Sequence, residues 1–210
     1  ERQARRNTTF YAPFLGEIAP SFSATQVDFP APERWTRFNA SVAADPAGNV
    51  RMIVRSSNYD HHEETHRTMV YDDHHVTRTV NYLLDLDDHL QITSVQPIND
   101  RAFLRNPPPH PVTGFEDCRL FFWNGSWWAS ATIWDHTPGE KSQIALLRLE
   151  GATAVQMFLL SDGFTRHEKN WMPVQANESG PIQFIYACCP TVLLTFHDLT
   201  ESVRTVNPCV

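Results

Sequence analysis

Gly114-Phe115-Glu116-Asp117-Cys118-Arg119-Leu120-Phe121-Phe122 reads as a β-strand carrying two carboxylates and an arginine. An ordinary half-buried strand alternates apolar with neutral polar residues at those positions. Two other segments share the design of a polar start followed by an apolar hairpin. Phe38-Asn39-Ala40-Ser41-Val42 lies upstream, and His167-Glu168-Lys169-Asn170-Trp171-Met172-Pro173 lies downstream. Three copies predict a repeat whose innermost strands meet around one polar site.

The segments between these motifs are strand-like. Apolar runs of strand length occur at Arg51–Arg55, Tyr82–Leu86, Leu90–Val95, Arg119–Trp123, Trp127–Trp134, Ile144–Leu149, Ala154–Leu160, Ile182–Ala187 and Thr191–Phe196. Asp45-Pro46-Ala47-Gly48-Asn49, Asp87-Asp88, Asn124-Gly125 and Glu150-Gly151 supply turns, of which Asn-Gly is the strongest hairpin signal. No segment joins helical periodicity to caps, and 15 scattered prolines oppose long helices. The strands group in fours, from Phe38 to Pro97 and from Phe115 to Ser161, with a third group opening at Asn170. Serial four-stranded units of this kind predict an all-β propeller, with roughly two and a half to three blades in this chain. Both faces of a blade are covered, which accounts for the near-continuous apolar run Trp127–Trp134. A β-sandwich is the alternative, but it predicts no polar signature repeated at first strands. Residues 1–37 then form an N-terminal extension or outer-strand segment, and residues 38–210 the partial propeller.

The chain has 210 residues, 41% of them hydrophobic and 20% charged, as in a folded globular domain. A net charge of −7 argues against a broad nucleic-acid interface. No run approaches the roughly 20 apolar residues of a membrane helix, and no basic-then-apolar leader opens the chain. The first residue is Glu1, which suggests a processed chain or a truncated one. Cys118, Cys188, Cys189 and Cys209 match neither zinc spacing nor a disulfide framework, so a reducing, cytoplasmic setting is expected. Asn-x-Ser/Thr triplets at Asn7, Asn39, Asn124 and Asn177 are read as chance occurrences. His62-Glu63-Glu64-Thr65-His66 matches H-E-x-x-H, whose zinc chemistry requires a helix with a buried side. Its flanks show no apolar stripe, so a solvated loop is expected there, and no metal site. His74-His75 beside Asp72-Asp73 offers at most adventitious metal binding, and Cys188-Cys189 at an apolar strand end is expected to be buried.

In a propeller Asn39, Glu116, Asp117, Arg119, Lys169 and Asn170 converge near the axis, where charges must be paired or used. Strand alternation puts Asp117 and Arg119 on one face and Glu116 on the other, so the neighbouring carboxylates are not expected to form a proton-sharing dyad. Arg119 should keep Asp117 ionised, which suits hydrogen bonding to sugar hydroxyls. Trp171 beside His167, Lys169 and Asn170 fits a sugar subsite, an aromatic face with polar groups at its rim. Lys169 is a compact cation suited to phosphate or carboxylate. Arg55, after an apolar run, either enters the cleft or reaches solvent.

These three motifs, with Phe184-Ile185-Tyr186, resemble the five-bladed propellers of glycoside hydrolase family 130 from about Arg37 onward. The Glu-Asp-x-Arg block is the most specific element, although Ala40 and Cys118 stand where similar proteins usually carry proline. The resemblance implies a glycoside phosphorylase or hydrolase acting on β-mannosides or related oligosaccharides by a single inverting displacement. It implies Asp117 as catalytic acid, working through a substrate hydroxyl, with inorganic phosphate as co-substrate and no other cofactor. Asn39, Glu116, Asn170 and Trp171 would contact sugar, and Arg55, Arg119, Lys169 and His167 would hold phosphate. A non-catalytic carbohydrate-binding propeller, associated with a glycosyltransferase, is the alternative.

Overall fold

The computed structural model describes residues 19, 21, 27–62, 67–134, 136, 141–160, 166–174, 179–197, 199 and 203–206. The chain divides into two compact units, Glu1–Pro30 and Ala31–Val210. The second contains every named strand, and its described residues form no α-helix, only the 3-10 turn Arg101–Phe103. No helix among the described residues is long and apolar enough to cross a membrane.

Three antiparallel sheets follow one another along the chain. The first runs β1 (Thr36–Ala44), β2 (Val50–Ser57), β5 (Thr77–Leu86) and β6 (Ile92–Pro97), with the two-residue β7 (Val112–Thr113) pairing in parallel with β5. The second runs β8 (Glu116–Trp123), β9 (Ser126–Ile133), β10 (Gln143–Glu150) and β11 (Thr153–Leu160), with β15 (Val203–Val206) added on β11. The third contains β12 (Met172–Val174), β13 (Ile182–Cys188) and β14 (Thr191–Phe196). The main strands of each group expected from the sequence fall in one sheet, β7 and β15 join from outside those groups, and no sheet closes into a barrel.

Local chemistry explains the turns. Asn124 and Gly125 have φ of 48° and 72°, the left-handed pair that a tight hairpin requires, and Trp123 pairs with Ser126 across it. Asp45 and Asp87 each accept two backbone N–H groups of their own turns through one carboxylate oxygen. Between β2 and β5 the expected loop is instead a second hairpin, β3 (Tyr59–His62) with β4 (Arg67–Val70). His62 therefore lies in a strand and cannot open a zinc-binding helix, while the Glu63–His66 part of that motif falls outside the described residues. Asn7, Asn177 and Cys209 lie outside them too.

The second sheet is buried on both faces. Leu120, Trp127, Ala129, Leu147 and Leu159 pack with Ile53 and Leu83 of the first sheet. Their alternating neighbours Phe121, Trp128, Ile144, Leu146 and Leu160 pack with Trp171, just before β12, and with Ile182, Phe184 and Phe196 of the third. Each such large apolar side chain contributes about 1.5–3 kcal/mol on burial, so this middle layer holds the stack together. Hydrogen bonds also join the sheets, from β8 to β1 and from β9 to the residue before β12. Leu120 donates its N–H to Ser41 Oγ at 3.0 Å, and Ser130 Oγ donates to the Trp171 carbonyl at 3.4 Å.

Candidate functional site

The three polar motifs repeat in backbone conformation as well as in sequence. Asn39, Asp117 and Asn170 have φ of 52°, 54° and 60°. Left-handed backbone is costly for most side chains and is tolerated best by glycine, Asn and Asp. At Asn39 and Asp117 it creates a bulge, with an extra residue on β1 between Phe38 and Ser41 and on β8 between Glu116 and Arg119. Regular pairing resumes at Ser41 and Arg119 and begins at Met172, in each case two residues after the left-handed position.

The bulge overturns the simple alternation expected for Glu116 and Asp117. Its extra residue breaks the period of two, so the adjacent carboxylates grip the same guanidinium. Arg55 donates from NH1 to Asp117 Oδ1 at 2.8 Å and from NH2 to Glu116 Oε1 at 2.5 Å. Its Nε faces Thr79 Oγ1 at 3.3 Å, and its Cζ sits 4.8 Å from the Phe38 ring centroid and 5.8 Å from that of Tyr59. Arg55 is only 3% exposed. Gly114 lets the chain pass close enough for this arrangement. Its φ is +96°, and a Cβ there would meet the Thr79 carbonyl oxygen at 2.7 Å.

The network extends to either side of the clamp. Asn39 donates from Nδ2 to Asp117 Oδ1 at 2.5 Å. Glu116 Oε2 accepts from Trp134 Nε1 at 3.0 Å and lies 3.8 Å from Lys169 Nζ. Lys169 stands over the Trp134 ring, 4.9 Å from its centroid, and His110 stacks on that ring at 4.6 Å. His167 is 5.3 Å from the same ring, and its Nδ1 accepts the Ser142 N–H.

Burial works to raise the Asp117 carboxyl, but the hydrogen bonds from Asn39 and Arg55 and the charges of Arg55 and Arg119 outweigh it. Asp117 is therefore held below the ordinary carboxylate range and is an acceptor at neutral pH. Burial also works against the Arg55 charge, yet Glu116 and Asp117 more than compensate. The Tyr59 phenol is raised, chiefly by burial.

Asn39, Arg55, Glu116, Asp117 and Lys169 thus form one continuous network, with His167 joined through Trp134. Arg119 acts on Asp117 by charge, and Asn170 is exposed beside Lys169. Two expectations change. Arg55 is enclosed by its carboxylates and positions them, so it does not present a free cation to phosphate. Trp171 is 1% exposed, packed against Phe184, Tyr186 and Phe196, and donates Nε1 to Glu168 Oε2 at 3.0 Å. It is a core residue, not a sugar platform. Half-buried aromatics at the network include Phe38, from the first polar motif, and Trp134 and Tyr59, which the sequence did not single out. Trp134 and Tyr59 follow the ends of the second strands β9 and β2, the ends that antiparallel pairing brings beside the starts of β8 and β1. Among the described residues no group of three or more His, Cys, Asp or Glu side chains is arranged to hold a metal.

No family model matches this chain, and no curated protein or solved structure matches it.

Proposed function

We propose that the three sheets are successive blades of a five-bladed type of propeller. The polar ends of their first strands form a carbohydrate site, at which the chain acts as a phosphorylase or hydrolase on β-mannosides or related oligosaccharides. The observation that carries this reading is the Asn39–Asp117–Arg55–Glu116–Lys169 network beside the Trp134 ring. A half-buried carboxylate flanked by an exposed amide matches vicinal hydroxyls, which donate and accept together. An indole rimmed by polar groups matches the C–H face of a pyranose.

In a single inverting displacement the nucleophile's oxygen attacks the anomeric carbon, and the departing glycosidic oxygen takes up a proton. Asp117 supplies that proton through a substrate hydroxyl, so the carboxyl must first gain one. The hydrogen bond from exposed Asn39 is the restraint a bound sugar can replace, and its loss moves Asp117 upward toward protonation. Arg119, Lys169 and His167 remain the groups for phosphate, while Arg55 holds Asp117 and Glu116 in place. Incubation with β-mannosides and inorganic phosphate should release a sugar 1-phosphate, and Asp117→Asn should abolish release. If phosphate is ignored while reducing sugar appears, water is the nucleophile. No turnover under either condition counts against the enzymatic reading.

One observation favours the second reading, a non-catalytic carbohydrate-binding propeller. Asp117 is held ionised, the state of a hydrogen-bond acceptor and not of an acid. Mannoside binding without turnover, with or without phosphate, would select that reading.

A further inference from the structure

We infer that the adjacent thiols of Cys188 and Cys189 form a dithiol site that chelates a thiophilic centre of the trivalent organoarsenical class through both sulfurs. The pair was expected to be buried, as free cysteines usually are. Cys118 follows that rule, at 1% exposed with its thiol pushed far up by burial. Cys188 and Cys189 are both free and both exposed. The reason is their place in the fold. Cys188 closes β13 opposite Thr191, so Cys189 and Pro190 form the hairpin turn into β14. Thr191 Oγ1 donates to the Cys188 carbonyl at 3.1 Å and ties the turn together. Two adjacent free cysteines thus sit at a braced, exposed turn.

The surroundings narrow the ligand. Among the described residues no third His, Cys, Asp or Glu joins the pair in a metal-binding group. Structural zinc, which takes about four protein ligands, is not served by this arrangement. Nor is a direct disulfide favoured. Consecutive Cα atoms stand about 3.8 Å apart across a trans peptide, below the roughly 4.4–6.8 Å that unstrained disulfides span. One large thiophilic atom between the sulfurs lengthens the bridge and relieves that strain. A trivalent arsenical carries its own organic substituent and needs only two sulfurs from the protein. With phenylarsine oxide, two As–S bonds form and the arsenic–oxygen bond breaks. Both thiol protons leave with that oxygen as water, and no oxidation state changes. The second As–S bond forms intramolecularly, so the adduct should resist monothiols that compete for one sulfur at a time.

The test is intact-mass analysis of the full chain after phenylarsine oxide, with excess glutathione and then with 2,3-dimercaptopropanol. One arsenical per chain should survive the monothiol and be released by the dithiol. Cys188→Ser and Cys189→Ser should each lower monothiol-resistant retention at least about tenfold, whereas Cys209→Ser should not. Both substitutions are at exposed positions, and circular dichroism verifies the fold of each variant. Peptide mapping of the unmutated adduct, which needs no variant, should place the arsenic on a peptide containing both cysteines. Release by glutathione alone, retention unchanged in Cys188→Ser, or arsenic mapped to Cys118 or Cys209 would overturn the assignment.

Discussion

Replacing Arg55 with methionine separates the clamp's electrostatic role from its packing role, because the apolar stem keeps most of its volume. The side chains of Arg55, Glu116 and Asp117 are 4%, 11% and 19% exposed, so neither carboxylate can turn freely to water. Removing one partner of a buried ion pair costs about 3–5 kcal/mol, chiefly by leaving charge unpaired. Partial exposure of Asp117 favours the lower end, about 3 kcal/mol. For a domain of this size that corresponds to a melting temperature lowered by roughly 6–12 °C. The loss should depend on pH in a defined direction. Asp117 is depressed in the folded state, so its contribution is present above the unfolded carboxylate value near 3.9 and is lost as pH falls through the folded value. The gap between the unmutated chain and Arg55→Met should be widest near neutrality and narrow below about pH 4. Adding Glu116→Gln and Asp117→Asn to Arg55→Met should recover part of the loss, since the unpaired charges are then gone. Thermal unfolding followed by circular dichroism measures all three effects. A variant melting within about 1 °C of the parent at neutral pH, with no pH trend, would refute the clamp.

Asp100 is 7% exposed and burial pushes its carboxyl up to about 6. The folded state then holds a proton that the unfolded chain releases, so this group's contribution to stability falls as pH rises from about 3.9 to about 6. Asp100→Asn should remove a penalty on the order of 3 kcal/mol at neutral pH and change little near pH 3, as paired thermal melts will show. Trp171→Ala should cost about 3–5 kcal/mol by opening a cavity beside Phe184 and Phe196, measurable by urea unfolding. Trp134→Phe should cost no more than about 1–2 kcal/mol, since it removes one half-buried hydrogen bond to Glu116, yet it should weaken mannoside binding in calorimetry. The reverse pattern would return the sugar contact to Trp171.

The fold was largely legible because its signals are local. Along Trp127–Ile133 the side chains Trp127, Ala129, Ala131 and Ile133 pack on one face and Trp128 on the other, where Ser130 and Thr132 are buried too, so the run is nearly continuous in apolar residues. Asn124-Gly125 supplies the left-handed backbone its hairpin needs. The β3–β4 hairpin was not legible, since Tyr59–His62 and Arg67–Val70 are short, polar and without a turn signature. The candidate site was legible as a set of residues and only partly as an arrangement. Asn39, Asp117 and Asn170 recur at matching places in their motifs, and all three are types that accept left-handed backbone.

Sequence by itself established strands, turns, the threefold polar motif and the chemical types gathered at it, because each depends on residues within a few positions of one another. Only tertiary structure decided that Arg55 is spent on Glu116 and Asp117, 61 and 62 residues away, and that Trp134, not Trp171, lies beside Lys169. It likewise decided that Cys118 is buried while Cys188 and Cys189 are exposed. Burial and ion pairing are set by whatever packs against a residue from distant parts of the chain, and a single added residue in a bulge redirects side chains that a strand's period of two would have placed on opposite faces.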